Sequence, residues 1–344
     1  MKILTLVLGI FISFQFLFVQ LNEKELVLNK IEETELKDTI QSSFQEHYSE
    51  FEYSDGQLFY ITDSPATLSI YSLDDGIQQF YKNIQGAGPF EHENIYNLAV
   101  SNDTIHLLGY TGKISAWTVK GEPLFEKETG IVRAKDLTAA KGALVISHEG
   151  MELNHHLFQV PNSSEDKTPH AFGPEHVFEN VLLSVFKNGG TLKAIDESLY
   201  VIPPFGKHLE VYKSPTLEPD KSIELEIPDF QMEKATGSRN SYFNDPRKLN
   251  AFIEENSLIT GFHKIDTSFI LEVMHMHDNY RRDLLLYDHD FNLKCHTTLI
   301  REIDGTPDPK IRFSDDKYIY YYLESITDQN SIKKSLHSYQ PVCE

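Results

Sequence analysis

The run MHMHD, at residues 274–278, carries the side chains best suited to hold a metal ion. If the run is a β-strand, His275 and His277 share one face at a separation of about 7 Å. His263 or Asp278 would then supply a third ligand, since imidazole and carboxylate groups suit a divalent metal. The alternative is that the histidines form an outward polar face while the two methionines pack inward. The spacing fixes no third ligand, so it is compatible with either a metal site or an ordinary strand.

The polar stretch at about residues 234–256 is a second candidate site, because loops on a rigid scaffold often carry function. Paired arginines with a tyrosine and an asparagine suit a carboxylate, phosphate or sugar ligand. The residues predicted to contact a ligand are Arg239, Asn240, Tyr242 and Arg247. Asp245 as the N-cap and Pro246 at the first helical position predict a short helix within the stretch. The alternative is a solvated surface loop.

A third pattern, GAGPFEHENIYNLAV at residues 86–100, combines a glycine-rich segment with a Glu-His pair. A phosphate-binding loop would lead into a helix, usually with Lys-Ser or Lys-Thr, whereas an alternating strand pattern follows here. A second version, AFGPEHVFENVLLSV, occupies residues 171–185, at the equivalent position two units later. The repetition predicts a structural joint in which Glu91 accepts hydrogen bonds from backbone N–H groups. The residues assigned to this joint are Gly86, Gly88, Pro89, Glu91, Gly173 and Pro174.

These patterns lie in a chain of repeated short strands with almost no helical periodicity. Six runs rich in β-branched and aromatic residues recur along it: LFYITD (58–63), TIHLLGY (104–110), ALVISH (143–148), SLYVIPP (198–204), SFILEV (268–273) and YIYYYL (318–323). Each run is followed by a turn and a second strand, and further strands flank the pair. Six units of four strands, at spacings near about 40–50 residues, predict an all-β, six-bladed β-propeller of four-stranded antiparallel blades. The propeller is expected to span residues 23–344.

The sixth unit lacks an outer strand, and the N-terminal segment ELVLNKIEETELKDTI (25–40) has no partner of its own. We therefore expect this segment to complete the last blade and close the ring. Closure of this kind removes a pair of open sheet edges that would otherwise favour aggregation. A helix from Glu33 to Phe44 is the competing prediction for part of the segment.

Through these repeats and the element Gly86-Ala87-Gly88-Pro89-Phe90-Glu91, the chain resembles the six-bladed, NHL- or TolB-like β-propellers that are abundant as exported proteins in Bacteroidota-type bacteria. Many of those proteins carry a Gly-x-Gly-Pro-Gly-Glu-Phe element before an inner strand. This chain has Phe90 in place of the glycine that follows the proline, and His92 in place of the aromatic residue. Many members are lipoproteins, but this sequence has no lipobox cysteine. The resemblance covers the chain from about residue 25 and implies an architecture rather than an activity.

The formal net charge of −21 argues against binding to nucleic acid or to anionic lipid, because both require clustered Lys and Arg. Residues 1–22 contain an apolar run and are interpreted as a signal peptide or a membrane anchor. The rest of the chain is then extracytoplasmic, in the periplasm or cell envelope, and touches the membrane only through that segment. Cys295 and Cys343 form one disulfide or remain two free thiols, since sequence gives no distance between them.

Together the patterns favour a binding module over an enzyme. The expected ligand is an envelope protein, a peptide or a glycan, bound at one end of the central channel and on the 234–256 insertion. The alternative is a metal-assisted hydrolase or lyase at the channel mouth, with His263, His275, His277 and Asp278 as the candidate residues. A divalent metal is the one cofactor that this alternative implies.

Overall fold

The six aromatic and β-branched runs form the second strand of six four-stranded antiparallel sheets among the described residues. The structure is a computed structural model. It describes residues 24–38, 49–63, 65–132, 134–148, 155–161, 168–175, 192–203, 205–299, 302–303, 306–307, 310–326 and 332–344. The predicted six-bladed β-propeller with four-stranded blades is confirmed.

The strands follow one another along the chain with two short helices between β17 and β18. Their bounds are β1 (Leu26–Leu36), β2 (Ser49–Ser54), β3 (Gln57–Asp63), β4 (Ala66–Ser72), β5 (Gln78–Asn83), β6 (Ile95–Ser101), β7 (Thr104–Gly109), β8 (Lys113–Thr118), β9 (Pro123–Glu128), β10 (Ala134–Ala140), β11 (Ala143–His148), β12 (His155–Pro161), β13 (His170–Glu175), β14 (Leu192–Ile195), β15 (Ser198–Val201), β16 (His208–Lys213), β17 (Glu218–Glu224), β18 (Ser257–Ile265), β19 (Ser268–His275), β20 (Arg281–Tyr287), β21 (Leu293–Leu299), β22 (Glu302–Ile303), β23 (Thr306–Pro307), β24 (Ile311–Ser314), β25 (Ile319–Ile326) and β26 (Ile332–Cys343). Blades one to five are β2–β5, β6–β9, β10–β13, β14–β17 and β18–β21.

The sixth blade combines the two ends of the chain, in the order β24, β25, β26, β1. Strand β1 pairs antiparallel with β26 from Leu26 opposite Cys343 to Leu36 opposite Lys334. The prediction that an N-terminal strand closes the ring is therefore confirmed. The competing helix is wrong for residues 33–36, which lie in β1, and residues 39–44 lie outside the described residues.

A disulfide between Cys295 and Cys343 strengthens this closure. Cys295 lies on the outer strand of blade five and Cys343 at the end of β26, so the bond joins neighbouring blades. The two residues are separated by 48 positions, and a crosslink closing such a loop stabilises by about 4 kcal/mol in the chain-entropy model. Of the two alternatives left open by the sequence, the structure shows the disulfide.

Apolar side chains of the second and third strands fill the spaces between neighbouring blades. Between blades one and two, Phe59, Ile61, Leu68, Ile105 and Trp117 are all buried in one cluster. The single tryptophan belongs to this core, and its indole N–H donates to the Ser115 hydroxyl at 2.9 Å. Burial of both sheet faces explains why these strands are almost continuously apolar.

The strand order gives the propeller two distinct faces. One face, called here the loop face, carries the blade-to-blade connections and the turns between the second and third strands of each blade. The opposite face, called the turn face, carries the turns between first and second strands and between third and fourth strands. The longest described connection on the loop face is residues 225–256, between blades four and five.

That long connection contains helices α1 (Arg239–Phe243) and α2 (Pro246–Glu254). The Asp245 side chain accepts from the backbone N–H groups of Arg247 at 3.1 Å and Lys248 at 3.3 Å. The predicted N-cap and the proline at the first helical position are therefore confirmed.

No helix in the described part of the chain is long and apolar enough to cross a membrane. Residues 1–22, predicted to be a signal peptide or anchor, lie outside the described residues.

Candidate functional site: the central channel and the loop face

The first strands of all six blades surround a central channel, because each presents alternate side chains toward the propeller axis. The cavity within the channel has a volume of about 80 Å³. Its polar and charged lining side chains are Glu50, Glu52, Asn97, Asp136, Thr138, Lys193, Thr260, His263, Lys310 and Arg312. This volume suits a few waters or a small ion rather than a sugar chain or a nucleotide.

One ion pair crosses the channel between blades four and one. Lys193 Nζ lies 3.2 Å from Glu52 Oε2, and about a third of each side chain remains exposed. Glu52 raises the pKa of Lys193 above its usual value, and Asp136 adds to the effect. Both side chains line the channel cavity, so their exposed surface faces that space.

Asp136 ties three blades together at the channel wall. Its carboxylate accepts from the Asn97 side-chain amide at 3.1 Å and from the Leu192 backbone N–H at 3.3 Å. Asn97 belongs to blade two, Asp136 to blade three and Leu192 to blade four. First strands have an unpaired edge toward the channel, so a buried acid that accepts these donors removes an unsatisfied hydrogen-bonding group.

A second buried acid, Glu272, plays the same part between blades five and six. It accepts from the Ile311 backbone N–H at 3.2 Å and lies 3.3 Å from His263 Nε2. Gly261 makes this contact feasible, because a Cβ there would lie 2.1 Å from the Glu272 carboxylate. Burial lowers the pKa of His263 despite the neighbouring carboxylate, so a neutral His263 donates to an ionised Glu272.

The structure brings the rings of His275 and His277 together, with centroids 5.5 Å apart, but it does not bring His263 to them. Ser257 pairs with His275, and His263 lies six residues further along β18, or about 20 Å away. Strand β19 ends at His275, so His277 lies in the following turn rather than on the same strand face. Among the described residues, no group of three or more His, Cys, Asp or Glu side chains is placed to hold a metal ion.

His275 instead forms a buried chain with a serine and an aspartate. Its Nδ1 lies 3.0 Å from the Ser257 hydroxyl, and its Nε2 lies 3.1 Å from Asp283 Oδ2. These are the residue types of a nucleophile, a base and an acid in acyl transfer. However, Ser257 has 0% exposure, and its oxygen already accepts from the Gln231 backbone N–H at 3.0 Å. This series of three side chains therefore anchors the long connection and offers no nucleophile to a substrate in this structure.

The side-chain series Ser257–His275–Asp283 continues to the loop face through Arg281. The Arg281 guanidinium lies 3.2 Å from Asp283, 2.7 Å from Asp278 and 3.1 Å from Asp229. Asp278, predicted as a metal ligand, is thus an ion-pair partner of Arg281. The contacts join the long connection to the turn between β19 and β20, which makes a rigid base for the residues exposed above it.

The four residues predicted to bind a ligand on the insertion have different environments. The Tyr242 ring is buried in a cluster with Phe252, and its hydroxyl accepts from the Thr236 backbone N–H at 2.8 Å. Tyr242 is therefore a core anchor and does not reach the surface, which corrects the prediction for this residue. Asn240 and Arg247 are exposed on the loop face. The side chain of Arg239 lies outside the described residues.

The glycine-rich motif lies in the short connection between β5 and β6. The Glu91 carboxylate accepts from the Gly88 backbone N–H at 2.9 Å, and a Cβ on Gly86 would lie 2.1 Å from it. Pro89 lies in the same turn, and Phe90 has φ +59°. The backbone thus keeps, at Phe90, the left-handed conformation that favours the glycine of the resembling proteins.

The second version of the motif has a different position. Gly173 and Pro174 lie inside β13, the outer strand of blade three, and not in the connection that follows it. The register against β12 shifts here, and Gly173 has φ +76°, as in a β-bulge. The assignment of these two residues to an inter-blade joint is corrected, because a Gly-Pro pair can serve a bulge as well as a turn. Residues 176–185 lie outside the described residues.

Exposed large apolar side chains concentrate on the loop face. Of the eight that the described residues expose, five lie on its connections and turns: Tyr110, Val132, Met232, Phe243 and Tyr280. The other three, Ile31, Ile77 and Leu124, lie on outer strands or on the turn face. Tyr280 is 49% exposed and stands beside Arg281 at the base of the long connection. An asymmetry of this kind is typical of an interaction surface.

Sequence reasoning did not single out the channel residues Asp136, Lys193, Lys310 and Arg312. The available signal was the period of two in polar side chains on first strands, as in Glu50 and Glu52. That period identifies residues on one strand face but not which face meets the axis. Ser257 and Asp283 had no signal, because strand pairing alone brings them to His275.

No family model matches the chain, and no curated protein matches it in sequence. Solved structures do match. A protein from Bacteroides fragilis NCTC 9343, described by its name as exported, superposes with a TM-score of 0.61 at 12% identity over 93% of this chain and 95% of that one. A member of the DUF4221 family from Bacteroides vulgatus ATCC 8482 gives a TM-score of 0.63 at 9% identity over 94% and 100% of the two chains. At these identities the likeness shows fold alone, and by fold this chain is similar to both Bacteroides proteins over nearly its whole length.

Proposed function

We propose that this protein is an extracytoplasmic β-propeller, of the NHL- or TolB-like type, that binds an envelope protein, a peptide or a glycan on its loop face. The observation that carries the proposal is the concentration of exposed large apolar side chains on that face. Tyr280, Phe243 and Met232 belong to the long connection or to the turn that Arg281 joins to it.

The location rests on three supports. The N-terminal residues 1–22 read as a signal or anchor, and the Cys295–Cys343 disulfide suits an oxidising compartment. One of the proteins with a similar fold is described by its name as exported. A formal net charge of −21 also keeps such a surface from binding nucleic acid or anionic lipid nonspecifically.

The loop face is favoured over the channel for a macromolecular ligand on size. The channel admits only a small ion or a few waters, whereas the loop face presents aromatic side chains with polar neighbours such as Asn240 and Arg247. Aromatic residues and arginine are the side chains enriched at the centre of binding interfaces. Rigid support comes from Asp283 and the buried His275 below.

Affinity capture from envelope extracts tests the proposal. The test variant carries Phe243→Ser and Tyr280→Ser, and the matched control carries Ile77→Ser and Leu124→Ser away from the loop face. We expect wild type and control to retain the same partner, and the test variant to retain at least about tenfold less of it. Circular dichroism and thermal unfolding check that all three proteins are folded. Equal capture by the test variant and wild type, or no specific partner for wild type, contradicts the proposal.

A further inference from the structure

Two cations of blade six, Lys310 and Arg312, line the channel. Lys310 immediately precedes β24 and Arg312 lies on it, and both border the cavity. Within the described part of the chain, neither forms an ion pair. Lys310 lowers the pKa of Glu272, but that carboxylate already accepts from His263 and the Ile311 N–H group. Among the described residues, neither cation therefore has a carboxylate within ion-pair distance.

Arg312 carries one buried hydrogen-bond donor that lacks an acceptor, as Arg281 and Arg282 do at the same atom. Its Nε is buried and has no hydrogen-bond partner among the described residues. The guanidinium lies 5.8 Å from the centre of the Phe51 ring, which contacts one face of the group and leaves its N–H edge unpaired. A buried donor without an acceptor is destabilising, and more so when it is charged. Arg312 also lines the cavity, so its guanidinium borders the space that an anion would occupy.

A β-bulge brings Arg312 into this position. The register of β24 against β25 runs from Ile311 opposite Tyr321 to Phe313 opposite Tyr320, so Arg312 is the extra residue. Bulges re-aim a side chain and are common beside functional sites. The first strands of blades two, three and five carry the same one-residue irregularity, so the bulge is a recurring feature of these strands, and in blade six its extra residue is Arg312.

The acids of the lining are already engaged. Glu52 pairs with Lys193 at 3.2 Å, Asp136 accepts from two neighbouring blades, and Glu50 also has a partner. The groups left to interact with a ligand are therefore donors and cations rather than acceptors. This chemistry selects an anion over a metal ion or a basic ligand.

We propose that the channel binds a small oxyanion, a short-chain carboxylate or inorganic phosphate, through the Arg312 guanidinium and the Lys310 ammonium. Guanidinium donates in a planar fork that matches carboxylate or phosphate oxygens, and the ammonium adds a second charge from the same strand. The cavity volume of about 80 Å³ limits the ligand to a small molecule. This site is separate from the loop face and does not depend on a partner there.

Isothermal titration calorimetry of the purified chain with acetate, succinate and inorganic phosphate, at constant ionic strength, tests the proposal. We expect saturable binding of at least one anion with a dissociation constant of about 1 mM or tighter. Preference for phosphate or for a carboxylate identifies the source of the oxyanion. Arg312→Gln and Lys310→Gln should each weaken binding at least about tenfold.

The matched controls are Arg247→Gln and Lys120→Gln, which remove the same charges at exposed positions outside the channel. They should bind within about twofold of wild type, which separates site contacts from general charge effects. Arg312→Lys, which keeps the charge but loses the fork, should fall between wild type and Arg312→Gln and serves if the glutamine variant does not fold. Absence of saturable binding by wild type, or unchanged affinity in Arg312→Gln or Arg312→Lys, overturns the proposal.

Discussion

Two connections between blades solve the same geometric problem in different ways. The short one, residues 84–94, is held by its own backbone and by Glu91, with the buried His92 ring donating to or accepting from Ser115 at 2.7 Å. The long one, residues 225–256, builds a small core around Tyr242 and Phe252 and rests on the His275–Asp283 pair. Each joins the outer strand of one blade to the first strand of the next.

The difference shows which connection can change its exposed residues without loss of propeller stability. In the short connection the Gln85 amide and the Glu91 carboxylate bond within the joint, and the His92 ring bonds to Ser115 of blade two. In the long connection a buried cluster lies beneath Asn240, Phe243 and Arg247, which are exposed at the surface. A blade-to-blade connection that is long enough to hold its own core can therefore expose side chains of the kind that our proposed binding surface uses.

The largest expected effect is the loss of the charged anchor beneath the long connection. Asp283→Ala removes a buried carboxylate that lies 3.1 Å from His275 Nε2 and accepts from the Thr298 hydroxyl at 2.8 Å. We expect a loss of about 3–5 kcal/mol in the free energy of unfolding, measured by urea denaturation. Asp290→Ala, at an exposed turn of the same blade, should change it by less than about 0.5 kcal/mol. A loss below about 1 kcal/mol for Asp283→Ala would show that the pair does not anchor this region.

Acid should destabilise the protein through the short connection. Burial lowers the pKa of His92 to about 4, and burial has the same effect on His106 in blade two. The folded state therefore binds these protons less tightly than the unfolded state, whose histidines titrate near about 6.5. The stabilisation is complete above pH 6.5 or so and is lost as the pH falls toward about 4, by about 3 kcal/mol for each histidine.

Urea denaturation between about pH 7.5 and pH 4.5 measures this dependence. His92→Gln keeps a polar partner for Ser115 and should reduce the slope, whereas the exposed His289→Gln should leave it unchanged. Identical slopes for wild type and His92→Gln would mean that His92 does not titrate differently in the folded state.

The smallest of the three effects concerns the close approach of Glu91 to Gly86. Gly86→Ala places a Cβ where the carboxylate lies, so the side chain must move and the hydrogen bond to Gly88 is lost. We expect a loss of about 2 kcal/mol in the free energy of unfolding. Gly130→Ala, with φ +74° and no atom within 4 Å of the added Cβ, measures the backbone cost alone, about 1 kcal/mol. Equal losses for the two variants would remove Glu91 from the explanation.

Much of the fold could be predicted because each element has a recognisable local sequence pattern. The second strands appear as six apolar runs, the Asp245-Pro246 pair marks the start of a helix, and the unpaired segment at residues 25–40 points to ring closure. Sequence alone could not place the four candidate metal ligands, because their separation depends on strand pairing. Strand β18 is long enough to separate His263 from His275, and strand pairing gives each a different acid. The sequence did not reveal that Gly173 and Pro174 lie inside a strand, because bulges and turns use the same residue types.

The sequence alone determined the strand pattern, the blade count and the acidic surface, because these depend on side-chain period and composition. Tertiary structure decided which buried charges meet. Glu272 reaches His263 only through the gap at Gly261, and Asp283 reaches His275 only across the pairing of β19 with β20. It also decided that Arg312 enters the channel through a bulge and remains unpaired there. Those contacts join residues far apart in the chain, and their distances are set by strand register, which local sequence patterns do not encode.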